Sequence, residues 1–200
     1  MNVVICPGVH EPQLTQSFLE RLWDECEDSH PGWAEPLIFP ADHQPAYSGL
    51  HILWFLHDRL QAEHPHTYLT MPLLFISFSA GVAGAIAASW GWQQSGGTVS
   101  ALIALDGWGV PLWGNFPIHR LSHDSFTHWS LALLGNGSDS FYADPGVGHL
   151  DLWRSPHTAY GWWMSSNPQE SPKATTAARF LAALLHRYSD QAISTRRSTQ

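Results

Sequence analysis

The 200-residue sequence is poor in charge, and above all in positive charge. Only 13% of its residues are charged, and 9 Lys and Arg against 17 Asp and Glu give a net charge of −8. No block of basic residues occurs before the last few positions. Because proteins bind the phosphate backbone mainly through Lys and Arg, this composition argues against a nucleic-acid partner.

Cysteine and long apolar runs are also scarce. Cys6 and Cys26 have neither the number nor the spacing of a disulfide scaffold or a zinc site. The longest apolar stretch, residues 73–92, is broken by Ser and Gly, which disfavours a membrane span. Met1 is followed directly by strand-like residues, without a charged leader. We therefore expect a soluble, reduced, cytoplasmic protein without stable membrane association.

Aromatic residues, by contrast, are abundant, with 11 Trp in the chain. So many indole rings need large apolar surfaces to cover or a binding cleft to line. A chain of this length favours one domain with a proper core. We expect a single domain over residues 1–188 and a flexible polar tail over residues 189–200.

Apolar runs of strand length alternate with helical segments along the chain. Each run is apolar throughout, which is typical of a parallel sheet covered by helices on both faces. The sequence therefore predicts an α/β fold, a three-layer sandwich with a mostly parallel central sheet. Residues 107–128 are irregular and are a candidate cap or lid insertion. Strands are expected at residues 2–6, 37–39, 73–78, 100–105, 129–134 and 140–143, and helices at 14–23, 50–60, 80–88 and 173–188.

One stretch organises the rest of the sequence. An apolar run over residues 73–78 stops at Ser79, and an Ala-rich helical segment starts at once. Small residues, Ser77 and Gly81, stand two positions either side, giving S-x-S-x-G where G-x-S-x-G is the common form. Such a turn lifts a serine hydroxyl clear of the sheet at the start of a helix. The alternative interpretation of Ser79 is a helix N-cap.

With this turn and its flanking elements, the chain resembles a small serine hydrolase of the α/β-hydrolase fold. The resemblance implies Ser79 as the nucleophile, with the Ala80 N–H as one oxyanion donor and the Val9 N–H as the second. It also implies an ester or thioester substrate cleaved through an acyl-serine, with no cofactor. The family order places an acid and then a histidine after the nucleophile.

Two residues compete for each of the remaining roles. Asp106 ends the strand just after Ser79, as in thioesterase domains of polyketide and nonribosomal peptide synthetases, and we take it as the acid. Asp139, which follows a later predicted strand, is the alternative. His149 lies between the last predicted strand and the closing helix, where the family's histidine sits, and His157 is the reserve.

Several aromatic residues follow the ends of predicted strands. His10, Trp108 and Trp113 are candidate contacts for an apolar substrate. They are also candidates for purely structural side chains, because large aromatic residues close protein cores. His119, His123 and His128 are spaced by four and five residues, but neither an HExxH motif nor paired cysteines accompany them, so we expect no metal site.

Three functions are therefore in competition. The first is hydrolysis of a small-molecule ester or thioester. The second is a non-catalytic binding or interaction protein of the same fold with a Trp-rich apolar cleft. The third is acyl transfer to an acceptor other than water, through the same residues.

Overall fold

A computed structural model describes residues 1–26, 35–107, 109–132 and 137–198. Within these ranges, eight strands form one sheet and six α-helices accompany it. The strands are β1 (Asn2–Cys6), β2 (Leu37–Ile38), β3 (Leu73–Phe78), β4 (Val99–Leu105), β5 (Ile118–Ser122), β6 (Ser140–Ala143), β7 (Tyr160–Met164) and β8 (Lys173–Thr176). The helices are α1 (Pro12–Glu25), α2 (Gly49–Glu63), α3 (Ala80–Gln94), α4 (Ser125–Ala132), α5 (His149–Arg154) and α6 (Ala177–Ser198).

The sheet is mixed but mostly parallel, in the order β2-β1-β3-β4-β5-β6-β7-β8. Neighbours from β2 to β6 pair in parallel, and β7 and β8 close one edge antiparallel. This confirms the predicted α/β class. The chain leaves β1 for β2 on one side and then crosses to β3 on the other. Ligand sites of such sheets lie at this reversal, beyond the carboxyl ends of the strands.

Both faces of the sheet are covered, which explains why its central strands are apolar throughout. On β3, Leu74, Ile76 and Phe78 share one core with α1, α5 and α6. Leu73 and Phe75 point to the other face and pack with α2 and α3. Alternate residues of a strand face opposite sides, so a strand between two helical layers needs apolar side chains at every position.

The first half of the chain folds as its pattern predicts. Strands over residues 2–6, 37–39, 73–78 and 100–105 are present to within a residue or two. Ser48 caps α2, its hydroxyl accepting a hydrogen bond from the His51 N–H. The helix ends at Glu63, and its C-cap His64 precedes Pro65, as expected from proline's steric effect on the preceding residue.

The middle of the chain differs from the prediction. Residues 107–128, predicted as a cap or lid, contain β5, a buried strand between β4 and β6, so Ile118–Ser122 belong to the sheet. Trp129 and the residues following it, predicted as a strand, belong to α4 as far as Ala132. A short apolar run fits either structure, and here tertiary packing favours the helix.

The end of the chain also needs correction. Residues 140–143 form a strand but not the last one, because β7 and β8 follow it. The predicted helix over 173–188 begins only at Ala177, since Lys173–Thr176 pair with β7. The tail predicted as flexible continues α6 to Ser198, because adding residues to a helix already fixed by packing is easier than starting one. Residues 199–200 lie outside the described ranges.

Cys6 and Cys26 are buried and unpaired by any disulfide. Burial raises the pKa of both thiols, that of Cys26 to about 12, so neither forms a reactive thiolate near neutral pH. No helix within the described ranges combines the length and apolar character that crossing a bilayer requires.

Candidate functional site

Polar residues follow several parallel strands at one edge of the sheet. Gly8 follows β1, Ser79 follows β3, Asp106 follows β4 and His123 follows β5. His149 begins α5, in the connection after β6. Because parallel strands end at the same edge, five points far apart in sequence meet beside the reversal between β1 and β3.

Ser79 occupies a strained turn between β3 and α3. Its φ is 51° and its ψ is −123°, a conformation that residues other than glycine rarely adopt. Its N–H donates to the Leu105 carbonyl at 2.9 Å, which ties the turn to the end of β4. Ser79 stands at the N-cap position of α3, but its hydroxyl makes no capping hydrogen bond. The side chain is therefore available for another partner.

Close backbone packing explains the small residues around this turn. A Cβ on Gly81 would collide with the carbonyl oxygens of Cys6 and Pro7. A Cβ on Gly8 would come 2.9 Å from that of Ser79, closer than real Cβ contacts. Ser77 is tolerated because it is fully buried and its hydroxyl donates to the Ile103 carbonyl at 3.2 Å. A serine in place of the common glycine therefore leaves no unsatisfied buried hydroxyl at this position.

His149 connects the hydroxyl to a carboxylate. Its Nε2 lies 3.2 Å from Ser79 Oγ, and its Nδ1 lies 2.9 Å from Asp106 Oδ2. An ionised carboxylate only accepts hydrogen bonds, so Nδ1 carries the proton and Nε2 is left as an acceptor for the hydroxyl. In this tautomer the imidazole is ready to remove the proton of Ser79. The structure thus brings three predicted site residues together.

The Asp106 carboxylate is buried and held from several sides. Its side chain is only 2% exposed, and its backbone adopts a positive φ of 50°. The Asp106 N–H donates to the Leu121 carbonyl at 2.9 Å. His123 donates to the carboxylate twice, from its backbone N–H to Oδ1 at 2.9 Å and from Nδ1 to Oδ2 at 3.0 Å. Sequence reasoning placed no site role on His123, because β5 was not recognised.

Three stacked aromatic rings pack against one face of the His149 imidazole. The Phe78 ring lies on His149 with centroids 4.7 Å apart and planes 24° from parallel. Trp153 lies on Phe78 at 5.0 Å, and Phe18 lies on Trp153 at 3.7 Å. Phe18, Phe78 and Trp153 are fully buried. The orientation of the His149 imidazole is thereby coupled to the packing of α1 and α5 against the sheet.

A mostly apolar pocket of about 300 Å³ lies beside the turn, next to Gly8 and His10. Leu19, Phe39 and Ala41 contribute to its walls. The His10 ring lies 5.7 Å from that of Phe78, so this candidate contact is adjacent to the site. The pocket connects the carboxyl end of β1 to the start of α1 and to the segment after β2.

The two candidate oxyanion donors are the N–H groups of Ala80 and Val9, and each directly follows one member of the close contact between Ser79 and Gly8. Ala80 is the first residue of α3, where N–H groups lack partners within the helix. Val9 directly follows Gly8, whose backbone lies against Ser79, and its side chain points outward, the residue being 77% exposed.

The alternative acid lies elsewhere. Asp139 precedes β6, at the end of the sheet opposite Ser79, because parallel strands all run the same way. It pairs with Arg187 at 2.8 Å and accepts two hydrogen bonds from Ser166. Burial alone would raise the pKa of Asp139, but the hydrogen bonds from Ser166 and Arg187 outweigh it and lower that pKa. Its role is structural.

The other candidates are not gathered at the turn. His157 lies between α5 and β7, and among the described residues His149 alone hydrogen-bonds Ser79 through an imidazole. Trp113 packs on Trp90, with ring centroids 4.3 Å apart, near the far end of α3 from Ser79. Trp108 lies outside the described residues.

The three spaced histidines do not converge on one point either. His119 is buried and hydrogen-bonds Tyr188 and the Asp139 carbonyl, and burial lowers its pKa to about 4. His128 packs against Tyr142, and burial, followed by the nearby Arg120, lowers its pKa. Of the three, His123 alone reaches the site.

The sequence matches no protein-family model and no curated protein. The arrangement can deprotonate one hydroxyl through one imidazole, hold that imidazole with a buried carboxylate, and offer backbone donors beside the hydroxyl.

Proposed function

We propose that this protein is a serine hydrolase of the α/β-hydrolase kind that cleaves a carboxylic ester or thioester through an acyl-serine intermediate. One observation above all supports the proposal. His149 bridges Ser79 Oγ and Asp106 Oδ2 at 3.2 and 2.9 Å, in the tautomer that a general base requires. The strained φ of Ser79 adds to it, because such strain gathers at functional sites.

In the acylation step, His149 Nε2 takes the proton of Ser79 as Oγ attacks the substrate carbonyl carbon. Asp106 stabilises the imidazolium that forms and keeps its Nδ1–H directed inward. The tetrahedral intermediate then collapses, the bond to the leaving group breaks, and His149 returns the proton to the leaving alcohol or thiol. Ser79 is left as an acyl ester.

Deacylation repeats the same proton transfers with water. His149 removes a proton from a water molecule as its oxygen attacks the acyl-serine, and then returns it to Ser79 Oγ. The carboxylic acid leaves, and the resting enzyme is restored. The 42% exposure of the His149 side chain gives water access to this nitrogen.

Negative charge on the carbonyl oxygen needs preset donors. The Ala80 N–H, at the positive end of α3, is one such donor. The Val9 N–H is the second, and the contact between Gly8 and Ser79 keeps its loop close to the turn. Removing one donor of this kind typically costs about 10²–10³-fold in kcat.

The pocket beside Gly8 supports a proposal for the substrate class. Its apolar walls and volume of about 300 Å³ suit the hydrocarbon part of a small acyl group better than a charged group. We therefore propose a small-molecule ester or thioester with an apolar acyl chain.

The direct test is labelling with a fluorophosphonate probe, which reacts only with an activated serine. We expect labelling at Ser79 and its loss in Ser79→Ala and His149→Ala. Ser77→Ala is the matched control, because it removes a buried hydroxyl two residues away and should leave labelling intact. A folded wild-type protein that never labels would overturn the proposal.

Turnover of short-chain esters separates this function from that of a non-catalytic binding protein. A hydrolase shows turnover well above the Ser79→Ala background, whereas a binding protein of the same fold shows none. Supplying an alcohol or amine acceptor and measuring the acylated product tests the acyl-transfer alternative.

A further inference from the structure

Two imidazoles, not one, meet at the Asp106 carboxylate. Oδ2 lies 2.9 Å from His149 Nδ1 and 3.0 Å from His123 Nδ1. These three atoms lie within 4.8 Å of one another, and among the described residues they form the group able to hold a metal ion. Catalysis as proposed transfers protons through only one of the imidazoles, that of His149, whereas His123 donates hydrogen bonds to the carboxylate.

We propose that Asp106, His123 and His149 form a binding site for Zn²⁺, and that zinc occupying it switches the hydrolase off. Two imidazole nitrogens and one carboxylate oxygen are a common protein ligand set for this ion, with the fourth position left to water. Oxygen-preferring ions such as Mg²⁺ and Ca²⁺ fit this donor set poorly.

The distances need only small changes to accept the ion. Bonds of about 2.1 Å at tetrahedral angles put ligand atoms about 3.4 Å apart. The two Asp106–imidazole distances, 2.9 and 3.0 Å, are a few tenths of an ångström shorter. The two nitrogens have to approach each other by at most about 1.4 Å from the 4.8 Å limit. Their side chains are 26% and 42% exposed, which leaves room for such a movement.

A second observation points to the same ligand. Asp124 Oδ2 lies 3.6 Å from the other nitrogen of His123, Nε2. When a metal binds one nitrogen of a histidine, the other nitrogen carries the proton and usually donates it to a carboxylate, which orients the ring and strengthens binding. Asp124 already lies close to that position, directly before α4, where its Oδ1 accepts the Thr127 N–H.

Loss of activity follows from the tautomer. Zinc at Nδ1 of His149 displaces the proton from that nitrogen, and the neutral ring then carries it on Nε2. Nε2 faces Ser79 Oγ and becomes a donor, so it can no longer accept the proton of the hydroxyl. This consequence depends on the proposed function, whereas zinc binding itself does not.

Calorimetric titration of metal-free protein with zinc chloride tests the site without any activity measurement. We expect one tight site per chain in the wild type. His123→Ala should weaken it by more than the 10–100-fold that loss of an outer partner typically costs, and Asp124→Asn by about that amount. Asn keeps an oxygen for the Thr127 N–H, so this variant is informative even if His123→Ala folds poorly.

His43→Ala is the matched control, because it removes an exposed histidine paired with Asp42 at 3.1 Å. Equal zinc affinity in the wild type and in folded His123→Ala or Asp124→Asn would overturn the inference, as would loss of the tight site in His43→Ala.

Labelling with and without zinc separates the two proposals. We expect zinc to protect Ser79 from the fluorophosphonate probe in the wild type, and chelation by EDTA to restore labelling. Labelling that zinc never affects would overturn the inhibitory site while leaving the hydrolase proposal intact. Tight zinc binding that depends on His123, in a protein that never labels even with EDTA, would support the metal site and overturn the hydrolase.

Discussion

Replacement of His119 by glutamine should make the protein less sensitive to mild acid. His119 is fully buried on β5, and Nδ1 lies 2.9 Å from the Asp139 carbonyl, which can only accept a hydrogen bond. Nδ1 therefore carries the proton, and Nε2, 2.7 Å from the Tyr188 oxygen, accepts from the phenol. The ring is neutral in this network, and a second proton would remove the acceptor that Tyr188 uses.

The size of the effect follows from the pKa. Burial lowers the pKa of His119 from its ordinary 6.5 to about 4, partly offset by Asp139. At pH values between these two pKa values, the unfolded chain binds more protons than the native one, so the free energy of unfolding decreases as the pH falls. The linkage relation gives a loss of about 2 kcal/mol between pH 8 and pH 5, and about 3 kcal/mol at most below pH 4.

Urea unfolding at pH 8 and pH 5 measures this contribution. The difference in unfolding free energy between the two pH values should be about 2 kcal/mol smaller in His119→Gln than in the wild type. His128, whose pKa burial also lowers, contributes to the wild-type slope, but it remains in both proteins. His43→Gln, which replaces an exposed imidazole, should show the same difference in unfolding free energy between the two pH values as the wild type. An identical difference in unfolding free energy between pH 8 and pH 5 in His119→Gln and in the wild type would refute the conclusion that His119 is buried in its neutral form.

Three further predictions concern the site and its surroundings. Asp106→Asn should lower kcat for ester hydrolysis by about 10⁴-fold, because an amide no longer fixes the tautomer; a loss below tenfold contradicts its role. Gly81→Ala should lower stability by about 1–3 kcal/mol or more in thermal melts, because its methyl collides with backbone carbonyls. Gly91→Ala, which meets only the flexible Leu53 side chain, should cost less. Ala41→Trp should fill the pocket and reduce the preference for octanoyl over acetyl esters roughly 50-fold, if about three CH₂ groups lose burial. Ala62→Trp, on the exposed side of α2, should leave that preference unchanged.

The parallel half of the sheet was predictable because its strands carry their own pattern. Residues 73–78 and 100–105 are apolar at every position except Ser77 and Ser100, and both segments end at turn-forming or small residues. Strand β5 was missed because His119 and Arg120 interrupt its apolar run, although both are buried. The Tyr188 hydroxyl that satisfies His119 lies 69 residues away in sequence, so no local pattern shows that this histidine belongs in a core.

The last strands were missed for a related reason. Gly161 interrupts the pattern of β7, yet glycine is required there because a Cβ would meet the Tyr142 backbone of the neighbouring strand. Lys173–Thr176 form β8 only through pairing with β7. Both are tertiary effects that override local preference.

At the site, the family resemblance and the order of the elements selected Ser79, Asp106 and His149 but left Asp139 and His157 as alternatives, because sequence order alone does not give distances. His123 could not be selected without β5, whose end sets its position. The residues around the pocket come from two stretches far apart in sequence, 7–19 and 38–42, so the pocket was not predictable from spacing.

The two strained bends have a consequence for motion. The amide protons of Ser79 and Asp106 are bonded to the carbonyls that end the next strand along, Leu105 and Leu121. Exchange of these protons with solvent requires the central strands to separate, an opening close in cost to unfolding the whole chain. The backbone that carries the Ser79 hydroxyl and the Asp106 carboxylate therefore belongs to the part of the chain whose amide protons exchange most slowly. In the proposed reaction, the group left to adjust is the half-exposed His149 ring at the start of the six-residue α5.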